Sequence, residues 1–135
     1  DFEGGNPIGE YELVCKVAKL VGIDNLLVKT HPRDSRTIYK DHGFNVDVNS
    51  SIPWEAIQLS GDFSDKVFLT INSGSVLSGS TMSEKPVKTF YMYKLCDIKE
   101  NKSCQKNAQD IEACESSMKE VFRNVRIAEK IEDIL

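Results

Sequence analysis

The apolar positions of this chain change period several times. In "EYELVCKVAKLVG", Leu13, Val14, Val17, Ala18, Leu20 and Val21 recur at three- and four-residue spacing, which is the period of one helix face. Gly22 stands where a helix C-terminal glycine belongs. "NLLVKTH", Asn25 to His31, is instead continuously apolar and stops at a proline, which predicts a strand buried on both faces, as in a parallel sheet. "RDSRTIYKDHG" is polar, has room for a short helical turn and ends at Gly43, and "FNVDV" alternates like a short strand. "SSIPWEAIQLSG" carries helix-start signals: Ser51 as a cap, Pro53 in the first turn and Glu55 near the positive end. "KVFLTI", Lys66 to Ile71, predicts a second buried strand, "NSGSVLSGS" a loop leading into a helical turn, and "KTFYMYKL" a third strand. Lys99 to Gln105 predicts a polar loop. "NAQDIEACESSMKEVFRNV" predicts a helix with Ile111, Cys114, Met118, Val121 and Phe122 on one side. "VRIAEKIEDIL" predicts a short extended piece and a terminal helical turn.

Strands alternating with helices predict an α/β layer fold, a three-layer Rossmann-like domain with a mainly parallel sheet. No repeat, low-complexity tract or internal boundary interrupts it, so residues 1–135 read as one domain.

Composition narrows the function classes. With 40% hydrophobic and 28% charged residues the chain is ordinary for a globular domain. A net charge of −4 disfavours broad attraction to nucleic acid or anionic membrane, so any cationic function has to be local. No apolar run approaches the roughly 20 residues of a membrane helix. Cys15, Cys96, Cys104 and Cys114 lack CxxC spacing, so reduced thiols of the cytoplasm, and not a zinc site, are the expectation.

In open α/β sheets, ligands bind beyond the carboxyl ends of the strands. Two predicted strand ends carry unusual residues: "KTHPRD" after Leu26 to Val28, and "NSGSVLS" after Val67 to Ile71. Together they suit a phosphate. Gly74 lets backbone N–H groups approach, Ser73 and Ser75 offer hydroxyls, and a helix starting there aims its positive end at the anion. Lys29 or Arg33 supplies charge, His31 donates one hydrogen bond, and Pro32 restrains the turn that presents it. Glu55 is placed to accept hydrogen bonds from a ribose diol. Each residue also has a plainer reading. His31 as a turn residue, the Ser/Gly cluster as a loop and Glu55 as a helix-dipole carboxylate are all common. Trp54 reads as packing, His42 beside Gly43 as a turn residue, and Ser35, Ser50 and Ser51 as caps.

At "KTHPRD…IPWE…INSGSVLS" the sequence resembles bacterial sialyltransferases and polysialyltransferases of the two-Rossmann-domain (GT-B) type, over about residues 8 to 95. Those enzymes share an HP motif and a Ser-Ser/Thr motif with a Pro-x-Glu-like segment between them. His31-Pro32 matches the first, and Ser73 with the Gly74-Ser75 pair lies where the second belongs. The resemblance implies the C-terminal, donor-binding half of a metal-independent enzyme that uses CMP-sialic acid, without a further cofactor, to extend a surface glycan such as a capsular polysaccharide or lipooligosaccharide. It implies that His31 assists departure of CMP, that Lys29, Arg33, Ser73, Gly74 and Ser75 surround the phosphate, that Pro32 shapes the pocket and that Glu55 fixes the ribose. It further implies a glycan acceptor, a separate N-terminal domain, room for a homodimer, no nucleic-acid partner, and a cytoplasmic location with room for peripheral attachment at the inner membrane face. Two features depart from the family. Ser-Gly-Ser replaces Ser-Ser or Ser-Thr, and "DFEGG" is badly placed for the acidic general-base motif, so Asp1 and Glu3 read as the end of a missing strand and its loop. A CDP-glycerol or CDP-ribitol transferase shares the Lys-x-His-Pro segment, but "TIN" before Ser73 lacks the Asp and Tyr expected there. A non-catalytic α/β binding module is a further alternative. A response-regulator-like domain lacks its early acidic cluster.

Overall fold

The computed structural model describes residues 7–49, 51–77, 84–85 and 87–135. The expectations for Asp1, Glu3, Ser50 and the serine-rich stretch 78–80 lie outside those residues.

The chain opens with helix α1, Glu10–Val21, which buries Leu13 and Val17. Acidic Glu10 and Glu12 stand in its first turn and Lys19 in its last, each favourable against the helix dipole. It ends at Gly22, whose φ of 88° suits a residue without a Cβ. A 3₁₀ turn at Ile23–Asn25 leads into strand β1, Leu27–Val28; then come α2, Ile38–Asp41, β2, Asn45–Val46, and α3, Trp54–Leu59. Strand β3, Val67–Thr70, precedes β4, Lys88–Tyr91, and a 3₁₀ turn at Tyr93–Leu95. Helices α4, Lys102–Ala113, and α5, Glu115–Val121, lead to β5, Val125–Ile127, and a last 3₁₀ turn at Ile131–Ile134.

Among the described residues every strand pair is parallel, in two small sheets ordered β1-β2 and β3-β4-β5. Alternation in β4 builds the core. Phe90 and Met92 face α1, where they join Leu13, Val17, Ala128 and Ile134. Tyr91 and Tyr93 face the other way and join Val76, Ala108, Ile111, Met118 and Val125, with Trp54 and Phe68 against them. Helices therefore cover both faces of a parallel sheet, and the fold is α/β, three-layered and Rossmann-like.

Four local expectations are corrected. The strand read over Asn25 to His31 shrinks to two residues, and Leu27 is 65% exposed instead of buried on both faces. It pairs only with β2 in a separate sheet, and residues 23–25 are spent on the 3₁₀ turn. The loop read over 99–105 turns helical at Lys102, because the Asn101 side chain accepts the Cys104 N–H at 2.9 Å and caps α4. The single helix read over 107–125 is two helices meeting at Cys114, whose φ and ψ of −95° and 2° leave the helical range. Neither Ser35 nor Ser51 caps a helix: Thr37 and Pro53 hold those positions, with no side-chain cap bond. His42 does end α2, its Nδ1 2.7 Å from the Ile38 carbonyl, and Gly43 follows with φ 81°.

Candidate functional site

The segment "HPRD" folds as one β-turn. The Asp34 N–H donates to the His31 carbonyl at 2.8 Å and closes it, with Pro32 in the second position that its fixed φ suits. The Arg33 N–H donates to His31 Nδ1 at 3.1 Å. That bond sets the ring chemistry. A neutral imidazole that accepts at Nδ1 carries its proton on Nε2. His31, Pro32 and Arg33 are exposed, while Lys29, just past β1, is half-buried.

The turn is anchored behind itself. Asp34 Oδ1 accepts both the backbone N–H of Arg36, at 3.1 Å, and its Nε, at 2.8 Å, while Oδ2 pairs with Nη2. This fork holds the Asp34 carboxyl below the usual carboxylate range, although burial opposes it, and lifts the Arg36 guanidinium above its ordinary value. Arg36 Nη2 also reaches Glu10 Oε2 at 3.6 Å, and the Tyr39 hydroxyl donates to Glu10 Oε1 at 2.9 Å. Burial, and then the Glu10 charge, push the Tyr39 phenol far up. The loop after β1 is thereby tied to the first turn of α1. The segment after β4 reaches the same end, where Ile8 and Asp97 form an antiparallel bridge.

The serines form a second unit past β3. Ser73 Oγ lies 2.8 Å from Ser75 Oγ and accepts the Ser75 N–H at 3.3 Å, a local side-chain turn that starts the helical residues 75–77. The Ser73 N–H donates to Thr70 Oγ1, and the Ser73 carbonyl accepts the Tyr91 hydroxyl, each at 3.1 Å. Asn72 Nδ2 donates to the Cys104 carbonyl and joins the loop to α4. Gly74 is exposed, and a Cβ built on it meets nothing within 4 Å, so the space beside it is open.

Of the residues named from sequence, the structure joins His31, Pro32 and Arg33 in one turn, and Ser73, Gly74 and Ser75 in another. The first turn is tethered to α1, the second to Tyr91 and α4 on the opposite face of β4. Glu55 belongs to neither. It stands half-buried in the first turn of α3, a helix fixed by the stack of Trp54 on Phe68, with centroids 4.3 Å apart and planes at 9°. Phe68 is the second residue of β3, so α3 starts beside the strand and not past its end. Sequence reasoning missed Glu10, Asp34, Arg36 and Tyr39. Asp34 and Arg36, two positions apart, were a signal of a local ion pair, whereas Tyr39 meets Glu10 across 29 positions, which no spacing rule announces.

Among the described residues, no group of three or more His, Cys, Asp or Glu side chains could hold a metal ion, and no helix is long and apolar enough to cross a membrane. None of the four cysteines forms a disulfide; Cys104 is buried and Cys114 exposed. Burial pushes the half-buried Cys96 thiol up to about 11. The two turns present hydrogen-bond donors, and the first also local positive charge. No protein-family model matches the chain, and neither a curated protein nor a solved structure matches it.

Proposed function

We propose that this chain is the donor-nucleotide-binding domain of a glycosyltransferase, a sialyltransferase-like enzyme that takes CMP-sialic acid. The observation that carries the reading is the Arg33 N–H to His31 Nδ1 bond, which commits the neutral imidazole to donate from Nε2. In this reading Nε2–H donates to a phosphate oxygen of the donor and stabilises CMP as it departs. Lys29 and Arg33 add charge and Pro32 shapes the pocket; for Ser73, Gly74 and Ser75 to line the same phosphate the donor has to span the distance between the two turns, on either face of β4, and Glu55, which lies in neither turn, is left out of the reading. A second domain supplies the acceptor side of the cleft. The location is cytoplasmic, at or near the inner membrane face, and a homodimer fits the reading.

Titration of the chain with CMP, CDP and UMP tests it. The expected result is cytidine-selective binding that His31→Ala weakens by about 1–3 kcal/mol, the scale of a lost charge-assisted hydrogen bond. Preference for CDP over CMP would move the assignment to a CDP-glycerol or CDP-ribitol transferase. Absence of nucleotide binding, or an unchanged affinity in His31→Ala, would sink it in favour of a non-catalytic module.

A further inference from the structure

We infer that Arg36 is a positioning residue for His31: its guanidinium, clamped on Asp34 and reaching Glu10, holds the turn from His31 to Asp34 against the start of α1. The turn is closed by the Arg33 N–H to His31 Nδ1 and Asp34 N–H to His31 carbonyl bonds, and its residues His31, Pro32 and Arg33 are exposed. Exposed turns exchange among conformations readily. Here the last turn residue is not loose. The Asp34 side chain is only 4% exposed, and both of its oxygens engage Arg36.

Arg36 in turn spans two chain segments. On one side it grips Asp34 through Nε and Nη2; on the other, Nη2 faces Glu10 Oε2, a buried oxygen with no hydrogen-bond partner, for which this ion pair is the compensating charge. Glu10 is itself held in place by the Tyr39 hydroxyl. A planar fork can bridge two carboxylates in this way, and a lysine ammonium cannot reproduce its parallel N–H groups. The chain Asp34–Arg36–Glu10–Tyr39 therefore carries the rigidity of α1 into the turn. The orientation of the imidazole depends on it, although none of these four side chains need touch a ligand. The consequence for nucleotide binding rests on the reading under Proposed function; the consequence for the turn does not.

Two measurements on the whole chain separate these. Amide hydrogen exchange by NMR reads the turn directly through the Arg33 and Asp34 amides. In Arg36→Met these two amides are expected to exchange about tenfold faster, while those of Phe90 and Tyr91 in β4 keep their protection. Arg36→Lys recovers part of the protection, and Lys119→Met, which breaks the surface pair with Glu115, changes neither turn amide. CMP titration then reads the link to His31. Arg36→Met weakens binding about tenfold, and adding it to His31→Ala weakens binding no further, because it acts through that ring. Unchanged exchange at Arg33 and Asp34 in Arg36→Met overturns the inference, and so do additive losses in the double variant. If the unaltered chain takes up no CMP, the donor-site reading falls, and the exchange result by itself upholds or overturns the strut.

Discussion

The hydroxyl of Tyr91 donates to the carbonyl of Ser73 at 3.1 Å, which ties the central strand to the serine turn. Tyr91 is wholly buried, so its hydroxyl needs a partner inside the protein, and this bond supplies one. Tyr91→Phe keeps the ring and removes the donor. Loss of a single hydrogen bond of this kind is expected to lower stability by about 1 kcal/mol. The change is measured as a lower urea midpoint at constant denaturant slope. The variant also frees the Ser73 carbonyl, so CMP affinity should fall with it. A variant that is less stable but binds CMP equally well would show that the serine turn holds its shape without β4.

Stability should decline in alkali sooner than ordinary tyrosine titration alone would produce. Burial pushes the Tyr91 phenol from its usual 10.0 up to about 12, and pushes Tyr39 and Tyr93 up as well. Burial also lifts Cys96 from 9.0 to about 11. In each case the folded chain keeps a proton that the unfolded chain releases, so unfolding is favoured as pH rises between the two values. The stabilisation is complete below 9.0, erodes through the Cys96 window, and erodes faster from 10.0 to about 12. Urea midpoints taken across this range should trace that two-stage fall, with the steeper stage reduced in Tyr91→Phe. A flat profile up to pH 10.0 would remove the Cys96 contribution.

Why some of this was legible in the sequence and some was not follows from where each element finds its partner. Helix α1 reads directly, because Leu13 and Val17 recur at helical spacing and Gly22 adopts a backbone that favours glycine. The third apolar run reads in part: Lys88–Tyr91 form β4, with Phe90 and Tyr91 each meeting a core, one on either face, while Tyr93–Leu95, read as more strand, turn into a 3₁₀ helix. The apolar run that contains β1 misleads, because continuous apolarity is compatible with burial but does not require it, and Leu27 ends up in solvent. The start of α4 was hidden for the opposite reason. Its buried positions are Cys104, Ala108 and Ile111, two of them small, so the polar majority masked the helical face. At the candidate site, Pro32 makes the His31 turn visible. The strut behind it is not visible, because Glu10 and Tyr39 come together only when α1 and α2 pack.

The two serines should respond unequally to removal. Ser73 Oγ accepts the Ser75 N–H and also meets Ser75 Oγ at 2.8 Å, whereas among the described residues Ser75 Oγ meets only the Ser73 hydroxyl. Either hydroxyl can supply the proton between them; when the Ser75 hydroxyl does, the Ser73 hydroxyl proton is directed elsewhere. Ser73 then becomes the hydroxyl able to donate to an oxyanion, with Ser75 as the group that orients it. Ser73→Ala removes the donor together with the start of the helical turn, and is expected to lower stability by about 0.5–1 kcal/mol, the scale of a helix-start side-chain bond. It should also reduce CMP affinity more than Ser75→Ala, which leaves the Ser75 N–H in place and takes away only the orienting contact. Parallel urea melts and CMP titrations of the two single variants check both halves. Equal affinity losses would mean that the hydroxyls share the anion, and a larger loss in Ser75→Ala would reverse the direction of the bond between them.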